Sequence, residues 1–325
     1  MIPLLLWSGF VAFILVILAL DLGVLNRKAR VIRTRDALLF SGVCALLALG
    51  FSVAVYFLYE NELLGSVLLG GARLSGRDAA LQFLTGWLVE QSLSLDNVFV
   101  IALIFSYFAV PREFQHRALF WGIMGALIMR GVMIGLGSAL LARFEWVMYV
   151  FGGLLLVTAA KLLFSGESQV EPERNPLVRL ARAVFPVSTT YDRERFFTHV
   201  DGRRAITPLF LVLLVVESTD VVFAVDSIPA VFAITAPYND PFIVFTSNVF
   251  AILNLRSLYF ALAALIEKFR YLKQSLVVVL AFVGVKMLVA NHLHISTVLS
   301  LCVIVGVLGA GVLASVRVER KARRA

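Results

Sequence analysis

The chain has 325 residues, 60% of them hydrophobic and 15% charged, with a net charge of +8 and a mean hydropathy of +0.92. Soluble domains are about 45–50% apolar and about 25% charged, so the composition excludes an ordinary soluble enzyme and predicts an all-α polytopic membrane protein. The basic balance then depends on where Lys and Arg lie, and gives no ground for nucleic-acid binding.

Nine apolar segments are long enough to cross about 30 Å of hydrocarbon: roughly 2–25, 37–59, 80–110, 117–141, 145–164, 205–234, 241–266, 275–293 and 295–316. The first lacks a basic leader and is followed by RKARVIRTR (27–35), so it reads as a span and not as a cleaved signal. The loops 26–36, 111–116 with Arg117, 165–204, 267–274 and the tail after 316 hold 22 Lys and Arg, whereas the alternate loops hold only Arg73, Arg77 and Arg143. This asymmetry predicts a multi-pass inner-membrane protein with its N-terminus outside and its C-terminus in the cytoplasm. The loop 165–204, with Pro172, Pro176 and Pro186 among mixed charges, is expected to be a cytoplasmic connector. A short amphipathic helix at VRLARAVF (178–185) would suit an interfacial role. Cys44 and Cys302 lie in apolar runs without a CxxC pattern and read as small buried hydrophobes.

Spans three to five resemble spans six to eight. Span three carries Glu90 and Asp96 in EQSLSLDN, and span six carries Asp220 and Asp226 in DVVFAVDS. Arg130 and Arg256 follow in spans four and seven, and Lys161 and Lys286 in spans five and eight. The steps after Asp96 are 34 and 31 residues, and those after Asp226 are 30 and 30. Span three enters the bilayer from the opposite side to span six. The pattern therefore predicts an inverted three-plus-three helix repeat, 80–164 and 205–294, with 295–325 as a last span and basic tail. Many secondary transporters are built this way, with the site between the repeats near the midplane.

Asp21 lies near the inner end of span one, while Glu90, Asp96, Glu217, Asp220 and Asp226 lie deeper. Each buried charge costs about 2.5–3.5 kcal/mol on insertion scales, so these acids must pair, bind a cation or be protonated. Glu217 and Asp220 are three apart and share a helix face. Residues six apart are rotated by about 240° on an unbroken helix, so neither six-apart pair would converge without a break. Both segments run to about 30 residues, or ~45 Å, which either tilt or a break would accommodate. Pro229 would free the carbonyl of Val225 beside Asp226, and Ser92, Ser94 and Asn97 would bond a loosened backbone in span three. Carboxylates, carbonyls, Asn and Ser are hard oxygen donors, suited to Mg²⁺, Ca²⁺ or Mn²⁺. Neither motif contains His or Cys, which argues against zinc or copper. His116 and His199 fall in inner loops, and His292 and His294 at an outer turn read as solvated.

Five deep acids face four bases, so pairing with Arg130, Lys161, Arg256 and Lys286 does not absorb them all. The expectation is a division of labour, in which some acids face the ion while the bases balance charge. A base that moves onto a carboxylate when the cation leaves would lower the cost of the ion-free carrier. Protonation of Glu90 or Glu217 would couple transport to a proton gradient. There is no GxxxxGK[ST] motif to suggest ATP, and no tightly bound organic cofactor is expected.

The segments LVEQSLSLDNVFV (88–100), VVESTDVVFAVDSIPAVFAIT (215–235) and DPFIVFTSNVFAILNLRSLYF (240–260) closely resemble the TerC family, and within it the bacterial Alx type. The similarity extends over nearly the whole chain, including KLLFSG after span five and KMLV in span eight. The resemblance implies a non-enzymatic inner-membrane protein that exports Mn²⁺. It implies that Glu90, Asp96, Glu217, Asp220 and Asp226 matter, with Asn97 beside them. Gln91 stands where some members carry Lys. Other members are associated with tellurium resistance, with metalation of exported enzymes or with membrane-protein assembly. Two other roles therefore stand beside export: a non-transporting assembly or metal-loading factor acting through loop 165–204, and oxyanion handling by Arg130 and Arg256.

Overall fold

The structure is a computed structural model describing residues 2–20, 34–61, 74–164, 172–200, 202–236, 238–262, 272–290 and 295–322. Asp21, His292 and His294 lie outside the described residues, as do the side chains of Asp96 and Arg256.

The described residues are mostly helical: α1 (Ile2–Leu20), α2 (Thr34–Glu60), α3 (Gly76–Tyr107), α4 (Arg112–Arg143), α5 (Trp146–Phe164), α6 (Pro176–Val184), α7 (Pro208–Thr235), α8 (Pro241–Leu262), α9 (Leu272–Val289) and α10 (Thr297–Ala322). Seven of these, α2 to α5, α7, α8 and α10, are long and apolar enough to cross a membrane. Within α1 and α9 the apolar stretches Leu5–Ala19 and Gln274–Val289 are shorter, and the residues beyond one or both of their ends fall outside the described set. The chain is thus a multi-pass helical membrane protein.

Local chemistry fixes the helix starts. Ser75 caps α3, accepting from the Asp78 amide at 3.1 Å while its hydroxyl donates to Asp78 Oδ2 at 2.8 Å. Asp240 caps α8 by accepting from the amides of Phe242 at 2.8 Å and Ile243 at 3.4 Å. Pro176, Pro208 and Pro241 each occupy a first helical position, where a missing amide costs nothing. Asp240 is fully buried, and its second oxygen accepts from the Tyr59 hydroxyl at 2.7 Å. Burial pushes its carboxyl above the usual carboxylate range, against those three donors.

Both acid-bearing helices run unbroken. The break that would have let the six-apart acids meet is absent, and Pro229 is carried inside a continuous α7. At 32 residues, α3 is about 48 Å long at ~1.5 Å per residue, longer than about 30 Å of hydrocarbon, and no break shortens it.

The most extensive packing sets α3 along α8 and α5 along α9, and α4 lies along α7. In the α5–α9 interface Gly152 and Gly284 let the backbones close in: a Cβ on either would stand 3.1 Å from the other's carbonyl oxygen. Small residues at such a crossing are the usual means of tight helix packing in lipid. An aromatic cluster joins α1, α2, α3 and α8, with Phe51 and Phe250 centroids 4.9 Å apart and Phe83 and Phe250 5.7 Å apart.

Residues 172–200 and 202–206 carry more structure than a bare connector would. After a short 3₁₀ turn at Pro172–Arg174, α6 covers most of the expected amphipathic stretch. It buries Val178 and Ala181 and exposes Leu177, Leu180 and Val184. An antiparallel hairpin follows, β1 (Phe197–Val200) with β2 (Arg203–Ile206). Tyr191, whose hydroxyl donates to the Phe108 carbonyl at 2.8 Å, has its pKa pushed up to about 12 by burial. His116 lies buried in α4 and not in a loop, and His199 lies on β1. Cys44 is buried as expected, but Cys302 is exposed on α10. In a helix facing lipid, an exposed thiol behaves as one more small apolar group.

Candidate functional site

The centre of the molecule is built around Arg130. It enters from α4 and is 1% exposed. Its Nη2 and Nε grip the two carboxylate oxygens of Asp220 on α7, at 3.0 and 3.2 Å. Its Nη1 meets Glu90 Oε1 on α3, and Glu90 is fully buried. The same Nη1 lies 2.7 Å from Asn248 Oδ1 on α8 and 3.2 Å from Ser227 Oγ on α7. Asn248 Nδ2 donates to Glu90 Oε2 at 3.3 Å, closing a three-sided network of Glu90, Arg130 and Asn248. One guanidinium thus answers two carboxylates drawn from different halves of the chain. A planar fork with five donors is the side chain able to do so.

Glu217 lies one turn before Asp220. Among the described residues it makes no hydrogen bond or ion pair, and its carboxylate packs against Gly125 of α4 in the space a Cβ there would fill. Asp226 accepts from the Thr158 hydroxyl of α5 at 2.7 Å. Lys161, in the last turn of α5, is exposed, and its charge acts on Asp226 across a distance too long for an ion pair among the described residues. Lys286 is buried in the last turn of α9 and forms no ion pair among the described residues. Among the described side chains of the bases proposed for charge balance, Arg130 is therefore the one seen bound to acids.

Two small cavities flank the contact between α3 and α7. The first, about 20 Å³, is lined by Asn97, Thr219, Asp220 and Phe223, with apolar neighbours from α4 and α8. The second, about 50 Å³, is lined by Asn97, Thr158, Phe223, Asp226 and Ser227. Asn97 is 4% exposed, and among the described residues its Oδ1 has no hydrogen-bond partner; neither have the Ser94 hydroxyl and the Gln91 amide, spaced one turn apart on the same helix. Among the described residues no three of the Asp, Glu, His or Cys side chains come together as a metal cluster. Any cation held here would take its remaining ligands from neutral oxygens such as those of Asn97, Thr158 and Ser227, which are hard donors.

The sequence pattern singled out Glu90, Asp220 and Arg130 as charges inside spans without pairing them, and it did not point to Asn248, Ser227 or Thr158. Asn248 lies inside the TSNVFAILNLR stretch, where an amide in an apolar span was the available signal.

A bundle of apolar helices around a buried network of charges defines an integral membrane protein. The integral membrane protein TerC family profile matches residues 75–323, and the chain belongs to that family. It is 47% identical over 317 residues, covering 98% of this chain and 93% of the relative, to "Uncharacterized membrane protein STKORF319" of Myxococcus xanthus. It is 44% identical over 306 residues, covering 94% and 92%, to "Putative membrane-bound redox modulator Alx" of Escherichia coli K12. A protein of the same name from Photorhabdus laumondii is 41% identical over 317 residues, covering 97% and 96%. No solved structure matches the chain.

Proposed function

We propose that this protein is a secondary exporter of Mn²⁺, coupled to protons. In this reading it sits in the bacterial inner membrane with its N-terminus outside and its C-terminus in the cytoplasm. Two inverted repeats, 80–164 and 205–294, enclose the path. The observation that carries the reading is the single arginine, Arg130, held between Glu90 of the first repeat and Asp220 of the second. A divalent cation that took Asp220 from Arg130 would bring two positive charges where one had stood. Arg130 would return to Asp220 when the ion left, sparing the carrier an uncompensated buried charge. Glu217, unpaired among the described residues and next to Asp220, is the acid placed to carry the coupled proton. The reciprocal packing of α3 with α8 and of α7 with α4 supports the inverted repeat. The charge asymmetry of the loops supports the orientation. The choice of Mn²⁺ among hard cations rests on the family resemblance.

The test is manganese tolerance in a strain lacking its own exporters. Wild-type chain restores growth, and Asp96→Asn and Asp226→Asn do not. Full tolerance conferred by both variants would sink the site assignment.

A second reading, a non-transporting assembly or metal-loading factor, is favoured by α6, whose exposed Leu177, Leu180 and Val184 offer a surface for a partner or for lipid. It predicts that deleting apolar character there removes the phenotype while the acids are dispensable. Oxyanion handling by Arg130 is disfavoured, because its guanidinium is already taken by acids. The redox modulation in the relatives' name finds no CxxC pair here: the two cysteines, Cys44 and Cys302, lie on different helices, α2 and α10.

A further inference from the structure

The unbroken course of α7 has a consequence for how many cation positions the protein holds. Asp220 and Asp226 are separated by about 9 Å along the helix axis and by a turn of about 240°. They line different cavities, Asp220 the one shared with α4 and α8, and Asp226 the one that also takes Thr158 of α5. One ion cannot be bound by both carboxylates in this arrangement. Yet the two cavities share two side chains, Asn97 and Phe223. Phe223 lies midway between the two acids on α7. Asn97 faces it from α3 and carries a buried amide oxygen with no partner among the described residues. An orphaned acceptor at that depth is unusual, since buried polar atoms are nearly always satisfied.

Resting on the reading that a hard divalent cation is the cargo, we propose that the ion occupies two stations in turn, one at Asp220 and one at Asp226. It crosses between them on the Oδ1 of Asn97, with Phe223 as the partition. Each station then offers one carboxylate and neutral oxygens: Asn97 with Thr219 at the first, and Asn97 with Thr158 and Ser227 at the second. A ligand common to both lets the ion change carboxylate without full rehydration. A single carboxylate at each station holds the ion weakly enough to leave, as conduction through successive sites requires.

The test uses the full-length protein purified in detergent and titrated with MnCl₂ alone, following free Mn²⁺ by its paramagnetic resonance signal. The same preparations are then placed in vesicles for flux. Wild type is expected to bind Mn²⁺, and Asp220→Asn and Asp226→Asn each to retain one ion at the remaining station while losing flux. Asn97→Ala should lower flux by about tenfold or more, the scale of a lost supporting ligand. Asn97→Ser, which keeps an oxygen and the fold, should recover part of it. Thermal unfolding of each variant identifies any loss that is only misfolding. A wild-type stoichiometry of one, abolished by either Asp variant, overturns the two-station account while leaving the cargo intact. So does a folded Asn97→Ala that transports at the wild-type rate. No Mn²⁺ binding by folded wild type overturns the cargo reading, and this inference with it.

Discussion

Arg130 and Asp220 form a two-pronged ion pair across the α4–α7 interface, Nη2 to Oδ1 at 3.0 Å and Nε to Oδ2 at 3.2 Å, with the guanidinium wholly enclosed. Removing one partner of a buried pair leaves the other charge uncompensated, at a cost of about 3–5 kcal/mol. Arg130→Gln is therefore expected to lower the unfolding temperature of the purified protein strongly. Arg130→Lys should lose the two-pronged geometry and fall in between. In combination with Glu90→Gln, the loss from Arg130→Gln should be smaller than the sum of the two single losses, because the residues act as one network.

Asn248 holds the same network from α8. Asn248→Ala removes a donor to Glu90 and an acceptor for Arg130, both buried. A buried group left unsatisfied costs about 1–3 kcal/mol. The variant should unfold earlier than wild type but later than Arg130→Gln in the same thermal scan.

Glu217 can be moved without touching it. A Cβ at Gly125 would occupy the place of the Glu217 carboxylate, whereas one at Gly135, on the same helix, meets nothing within 4 Å. Gly125→Ala should impair manganese tolerance in cells, and Gly135→Ala should behave as wild type, with both proteins present in the membrane at equal levels by immunoblot.

Thr158 is the donor that orients Asp226. Thr158→Val keeps the shape and removes the hydroxyl. It should weaken Mn²⁺ binding by about tenfold or more, the scale seen when a group orienting a metal ligand is lost. Thr158→Ser should retain wild-type affinity in the same titration.

The membrane class, the acids and Arg130, which binds two of them, were legible because charge inside an apolar run is costly and stands out against Leu and Val. The uncharged partners were not, since Asn248, Thr158 and Ser227 look like ordinary polar residues of a span until a neighbouring helix brings Arg130 or Asp226 to them. Helix continuity was also hidden: Pro229 allows a break, and only packing decides that α7 stays whole. The hairpin at 197–206 did carry a signal, the Asp-Gly pair at 201–202, a favoured two-residue turn. Gly202 takes the positive φ, +73°, that this turn requires.

The central claim, that the buried acids move a divalent cation, is tested most directly by Mn²⁺ flux into vesicles holding the purified protein and a manganese-sensitive dye. The account predicts uptake that accelerates under an opposing proton gradient and is lost in Asp220→Asn and Asp226→Asn. Dye signal no faster than in protein-free vesicles, from protein shown to be folded, would contradict it.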